Sequence, residues 1–366
     1  MYVWALPQWP GWTWDEGRIA KPLAMARHRQ GLLLGRMQAL GFQLRAEATL
    51  TTLTEDVLKT SEIEGERLDA RQVRSSIARR LGMDVAGLVP ADRDVEGVVE
   101  MMLDATQNFD RRLTRQRLFD WHAALFPTGR SGMRRIVVGA WRDDREGPMQ
   151  VVSGPVGREK VHFVAPPADR LDREVAAFLH WFNRAPPSDP VLASGLAHLW
   201  FVTIHPFADG NGRVARAVAD MALARSEKSA QRFYSMSSQI RLERNDYYDV
   251  LERTQKGTLD VTAWLEWFLS CFDRAVESAQ ELLDSTLRKA RFWEAHAGQD
   301  LSERQRRLIN RLLDGFEGKL TTGKWATLGK CSQDTAYRDI LDLVARGILK
   351  KGPGSGRSTS YALTDI

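Results

Sequence analysis

Cysteine is nearly absent: the 366-residue chain contains two, Cys271 and Cys331. Two thiols make neither a disulfide framework nor a metal site of their own, so both are read as structural. Long apolar runs are missing as well. No segment approaches the run of about 18 apolar residues that a membrane span requires. Met1-Tyr-Val-Trp-Ala-Leu-Pro7 also lacks the basic start and apolar run of a secretory leader. A cytoplasmic protein with no membrane partner is therefore expected. Nor is there a strong excess of one charge. The 52 basic and 47 acidic residues leave +5, which permits contact with nucleic acid without arguing for it. No internal repeat or long low-complexity segment occurs.

What is present points to a folded, mainly helical protein. A hydrophobic fraction of 43% supports well-formed cores, and 366 residues suggest about two or three domains. Tryptophan is abundant, 12 in all, with Trp4, Trp9, Trp12 and Trp14 crowded at the start among Pro7, Pro10 and Gly11. Residues 1–20 should be irregular or extended, and a strap packed on neighbouring helices is preferred to a docking surface. From Leu23 to about Glu62 the composition suits helices, and Asp69 is placed to cap another through Val73, Ile77 and Leu81. Residues 91–128 read as two helices. Gly132–Pro167 loses helical periodicity, and Ile136-Val-Val, Gln150-Val-Val and Val161-His-Phe-Val read as short strands. Leu171–Phe182 and Val191–Ile204 return to helix, a further helix reaches Gln255, and an apolar one runs over Val261–Ala275. A charged connector helix at 276–300 follows. His122 and His198 lie among apolar neighbours and are read as packed. In the tail, helices around Leu308, at Lys324–Leu328 and from Thr335 to Arg346 precede two strands flanking Gly352-Pro-Gly-Ser-Gly.

The chemistry concentrates in His205-Pro-Phe-Ala-Asp-Gly-Asn-Gly-Arg-Val-Ala-Arg216. Val214, Ala217, Val218, Met221 and Ala222 fall on one helical face, so Gly210-Asn211-Gly212 sits at a helix N-terminus. Free N–H groups and the positive dipole end there suit a phosphate. Arg213 and Arg216, spaced i,i+3 on the first turn, can reach outer phosphates. Asp209 is a hard oxygen ligand of the kind Mg²⁺ uses beside phosphates. His205 can accept a proton near neutral pH. Together these residues read as metal-assisted transfer from a nucleotide.

The segment also matches H-x-F-x-[DE]-G-N-G-R-x-x-R and so resembles the Fic family. The resemblance implies a mainly α fold: a Fic helical core with a β-hairpin flap. It further implies a protein adenylyltransferase that uses ATP and Mg²⁺ to place AMP on a Ser, Thr or Tyr hydroxyl of a target protein or of itself. His205 would then deprotonate the hydroxyl and Asp209 would hold Mg²⁺. Gly210, Asn211 and Gly212 would cradle phosphate oxygens, with Arg213 at the β-region and Arg216 at the γ-phosphate. Thr60-x-x-x-Glu64-Gly65 resembles the family's inhibitory motif, [ST]-x-x-x-E-[GN], which implies that Glu64 pairs with Arg216 and holds the enzyme off. Val161, His162, Phe163 and Val164 match the flap beside the nucleotide, where a target protein is aligned by strand addition. Tyr248 and Gln255 match positions that line the adenine pocket, the latter being Asn in many members. No partner to orient His205 is legible.

The C-terminal elements resemble a winged helix-turn-helix, with Arg338 on the recognition helix and Lys350, Lys351 and Arg357 on the wing. Asp334, Asp339 and Asp342 mix the charge of that helix, so DNA and protein both stay open as partners, as does a homo-oligomer. The expected division is a Trp-rich helical domain with the inhibitory motif at 1–90, the Fic core at 91–275, the connector at 276–300 and the winged helix at 301–366. Two other functional readings stay open. One is a Fic-fold enzyme that removes AMP or transfers another phosphate-containing group; the other is a nucleotide-sensing, DNA-binding regulator.

Overall fold

A computed structural model describes the chain except for residues 85–86, 156, 185–188, 314–315, 317, 353–358 and 365–366. The Ala-Pro-Pro loop at 185–187, Arg357 and most of the turn after Gly352 therefore lie outside the described residues. The chain divides into two compact units, Met1–Ala279 and Gln280–Ile366.

In the first unit, α1 (Glu16–Gln38) starts at Asp15, whose side chain accepts from the Arg18 amide at 3.1 Å. It begins ahead of Pro22, not at Leu23 as expected: the cap at Asp15 outweighs one missing amide within the helix. Helix α2 (Phe42–Ile63) ends at Glu64, and Gly65 turns the chain at φ 87°. Asp69 caps α3 (Ala70–Arg80) as expected, accepting from the Arg71 and Gln72 amides at 2.9 Å each. Helices α4 (Arg93–Gln107) and α5 (Arg115–Leu125) are the pair expected between 91 and 128.

Two antiparallel ladders follow, β1 (Arg130–Ser131) with β2 (Arg134–Arg135), and β3 (Gln150–Ser153) with β4 (Lys160–Val164). Ile136-Val-Val is not a strand, because β-prone side chains make one only where a partner is in register, and β1 closes on the residues before it. Between β3 and β4 the register steps from Val151↔Phe163 to Val152↔Val161, so His162 is a bulge that re-aims its side chain.

Helix α6 (Leu171–Phe182) leads to α7 (Pro190–Ile204), which is buried on almost every side and packs chiefly on α8 (Asn211–Glu227). Asp189 caps α7, with Pro190 at its first position. An unforeseen short helix, α9 (Met236–Leu242), precedes α10 (Arg244–Gln255). Helix α11 (Thr262–Ala295) then merges the expected Val261–Ala275 helix with the expected connector, since the span holds no glycine or proline to stop it. The helix is continuous across 275/276, while the two compact units divide at 279/280.

The tryptophan-rich start is a strap. Trp4 donates to the Val164 carbonyl of β4 and Trp9 to Glu174 of α6, both at 2.7 Å. Thr13 bonds backbone to backbone with Leu259 and Val261. Helix α2 is seated at its middle by the fully buried Asp56, which accepts from the hydroxyl of Ser235. At its end, Arg244 donates to the Ile63 carbonyl at 2.8 Å.

The second unit holds α12 (Glu303–Leu313), α13 (Thr322–Gly329), α14 (Gln333–Ala345, capped by Ser332) and an antiparallel pair, β5 (Leu349–Lys351) with β6 (Tyr361–Leu363). Its core gathers Leu308, Ile309, Trp325, Ile340, Leu343 and Ile348. Asp339 is turned inward, accepting from Arg304 at 2.8 Å and Trp325 at 3.1 Å, so it does not add charge to the exposed face of α14. No described helix is long and apolar enough to cross a membrane.

Candidate active site

The site forms where α7 ends and α8 begins. His205 ends α7 in the left-handed region, at φ 52° and ψ 56°. Its Nδ1 lies 3.1 Å from the Val202 carbonyl. A carbonyl can only accept, so Nδ1 carries the proton and Nε2 keeps the lone pair. This is the orienting partner that the sequence did not disclose. Burial, and next the Arg142 guanidinium, push the imidazole pKa down to about 4, although part of the residue still meets solvent. At pH 7 the ring is a neutral base.

Arg142, itself buried, holds the backbone on both sides. Its Nε donates to the His205 carbonyl at 2.8 Å, another nitrogen donates to the Pro166 carbonyl beyond β4, and a third pairs with Asp144 at 2.8 Å. Nothing in the sequence singled it out.

The turn into α8 is held by its own side chains. Asn211 accepts from the Phe207 amide and donates to the Phe207 carbonyl, both at 2.9 Å. The Asn211 side chain is therefore spent on the turn, and only its backbone amide remains for a ligand. Gly210 sits at φ 80°, and a Cβ there would meet the Phe126 ring at 2.9 Å. The first amide within the helix ladder is Val214, bonded to the Gly210 carbonyl, so those of Asn211, Gly212 and Arg213 precede it.

Asp209 accepts from the Gly210 amide at 2.5 Å and from the Ser131 hydroxyl, and Ser131 too was missed in the sequence. His122 is packed, as expected, but it also supports this loop. Its Nδ1 accepts from the Gly139 amide and its Nε2 donates to the Asp209 carbonyl, each at 3.2 Å. Burial pushes His122 down to about 4. No group of three or more His, Cys, Asp or Glu able to hold a metal occurs among the described residues. A single carboxylate completed by phosphate oxygens and water is nonetheless an ordinary Mg²⁺ donor set, which Asp209 fits.

Both arginines are buried and both are engaged. Arg216 donates through Nε to the Thr60 hydroxyl at 2.7 Å and through one terminal nitrogen to the Thr60 carbonyl (2.9 Å) and Glu64 (2.7 Å). Glu64 thus meets Arg216, the contact the resemblance implies; Thr60 meets the same guanidinium, which was not foreseen, and Gly65 makes the turn that follows. A Cβ on Gly212 would come within 2.3 Å of the Glu64 carboxylate, so that glycine is what admits Glu64. Arg213 pairs at 2.6 Å with Glu66, a contact the sequence did not reveal.

The flap residues diverge. His162 donates through Nδ1 to Glu252 of α10 at 2.5 Å, and its Nε2 lies 2.6 Å from the Ser153 hydroxyl. The bonds from Lys256 and His162 hold the Glu252 carboxyl down at about 2. Phe163 points into the protein, edge-on to Tyr2 at 5.2 Å, so its side chain is not part of the exposed face of β4, whereas Val161 is 38% exposed. Tyr248 is half-buried beneath the Arg244 guanidinium, 5.0 Å from the ring centre. Gln255 is buried and donates to Thr203 at 3.2 Å. His198 is buried as expected and shares a 2.9 Å hydrogen bond with Tyr247.

Residues 112–223 match the family model described as Fic/DOC family. The chain carries a Fic domain. Residues 2–83 match a second model, described as a domain of unknown function (DUF4172). Two relatives, each named protein adenylyltransferase Fic, are from Nematostella vectensis (29% identical over 117 residues, 31% of this chain and 26% of the relative) and Drosophila virilis (30% over 102 residues, 27% and 19%). The matches thus span about a quarter or less of those proteins. A solved Fic family protein from Desulfovibrio desulfuricans shares the fold across 98% of both chains, at TM-score 0.55 and 22% identity. A Fic domain containing signaling protein from Bacteroides thetaiotaomicron covers 72% of this chain and 95% of its own, at TM-score 0.50 and 18% identity.

Proposed function

We propose that this Fic domain transfers AMP from ATP to a Ser, Thr or Tyr hydroxyl of a protein, and that Glu64 holds it off. The observation that carries the reading is a neutral imidazole, oriented by the Val202 carbonyl, at the start of a helix with free amides and two buried arginines.

His205 takes the hydroxyl proton on Nε2, the hydroxyl oxygen bonds to the α-phosphorus, and pyrophosphate leaves with the electrons of the broken P–O bond. The Asn211 and Gly212 amides and Arg213 bind phosphate oxygens, Gly210 shapes the turn that presents them, and Arg216 binds the γ-phosphate once released from Glu64. Mg²⁺, held by Asp209, would supply neutralisation of charge on the pyrophosphate. Tyr248 offers a face to adenine, with Gln255 buried and bonded to Thr203, while Val161–Val164 present backbone to the target protein. With Glu64 on Arg216 the γ-phosphate has no cation, and the α-phosphorus is not brought in line with the hydroxyl.

For 301–366 the reading is a winged helix. Tyr337 and Leu341, 49% and 46% exposed on α14, suit a protein surface better than DNA.

ATP labelled separately at the α- and γ-phosphates tests the reading in wild type, Glu64→Gly and His205→Ala. The expected result is protein label from the α position only, stronger in Glu64→Gly and absent in His205→Ala. Label from the γ position overturns AMP transfer, and equal labelling by wild type and Glu64→Gly removes the switch.

A further inference from the structure

Three consecutive residues, Glu64-Gly65-Glu66, set two carboxylates against both arginines of the anion site. Glu64 reaches Arg216 at 2.7 Å and Glu66 reaches Arg213 at 2.6 Å. Gly65 between them supplies the φ of 87° that this turn needs. Neither arginine is free to choose another position. Their side chains are 1% and 3% exposed, and the Arg213 guanidinium is backed by the Phe126 ring at 5.1 Å. Among the described residues Arg213 Nε has no hydrogen-bond partner, and Glu66 is the carboxylate that answers the guanidinium charge.

We propose that Glu66 is a second inhibitory carboxylate, holding Arg213 as Glu64 holds Arg216, so that a nucleoside triphosphate must displace both to engage its two outer phosphates. The proposal rests on the nucleotide-site reading above and assigns regulation to a residue outside the Thr60–Gly65 pattern. Two carboxylates on two arginines occupy the charge positions of two phosphate groups.

The two arms are unequal. Glu66 keeps 48% of its side chain in solvent against 29% for Glu64, and an exposed ion pair is worth less than a shielded one. Burial, and then the neighbouring Asp209 and Glu64 carboxylates, also raise the Glu66 pKa against the pull of Arg213. Three carboxylates crowd two arginines, and the outermost is held least. Glu66 therefore opens first. A diphosphate can engage Arg213 by displacing Glu66 while Glu64 still closes Arg216; a triphosphate needs both arms open.

Calorimetric titration of the full chain with Mg-ADP and with Mg-ATP separates the arms, in wild type, Glu66→Gln, Glu64→Gly and the double variant. Glu66→Gln should tighten ADP about fivefold with Glu64 in place. Glu64→Gly should tighten ATP more than ADP, and α-label transfer by the double variant should exceed that of Glu64→Gly. Equal ADP affinity in wild type and Glu66→Gln, with Glu64→Gly still transferring label, overturns the second arm and leaves the transfer reading standing. If Glu64→Gly binds ATP but transfers nothing, the transfer reading falls, and the ADP comparison still decides for or against Glu66.

Discussion

A single carbonyl, that of Val202, decides what His205 can do. By fixing the proton on Nδ1 it leaves Nε2 basic, and burial keeps the ring neutral well below the usual histidine range. On the proposed transfer reading, labelling by the Glu64→Gly variant should therefore stay level from about pH 8 down to about pH 5.5, because the unprotonated ring is the form that takes the proton. It should fall only as pH nears 4, where the imidazole gains its proton. Initial rates across that range, with tryptophan fluorescence to certify the fold, check this; a midpoint near 6.5 would mean an unshielded ring. At this scale the sequence discloses what is contiguous. His205 through Arg216 reads directly because all its chemistry falls in one segment, and Glu64 reads through a spaced pattern. Glu66, Ser131 and Arg142 do not, since their partners lie 147, 78 and 63 positions away. A glutamate after a glycine and an arginine before two aspartates look like ordinary surface until the fold delivers their counterparts.

Among the elements, local rules hold where the stop and start signals are local. Asp69 caps the helix expected of it, and Ser332 caps α14. The run from Thr262 to Ala295 shows the opposite case: a change from apolar to charged composition looks like a boundary, yet backbone hydrogen bonds continue through it. Ile136-Val-Val fails for a further reason, because pairing requires a second strand that no local pattern supplies. The cap on α3 also fixes where the Glu64–Glu66 turn must rejoin helix. Asp69→Ala should lower unfolding free energy by about 1 kcal/mol, read as a lower urea midpoint at unchanged slope. No change would show that the two bonded amides find equivalent partners in water.

For the whole molecule, every group assigned to the site lies between Thr60 and Gln255, inside the unit Met1–Ala279. A chain ending at residue 279 should unfold in one cooperative thermal transition and keep α-label transfer, with Glu64→Gly still the more active. Loss of the transition on truncation would show that the first unit depends on the second. Within that unit, the segment matched as a domain of unknown function, 2–83, meets the Fic-matched segment, 112–223, at two ends. Trp4 bonds to the flap near its start and Glu64 to Arg216 near its close.

The left-handed backbone of His205 sets folding against chemistry at one position. A helix end at φ 52° suits glycine or asparagine, and another residue there costs the fold about 1–2 kcal/mol. The side chain that best ends α7 and the side chain that best moves a proton belong to different amino acids. On the proposed reading, a version of this chain selected for thermal stability alone would be drawn to surrender its base, and the most robust descendant would be an inert one.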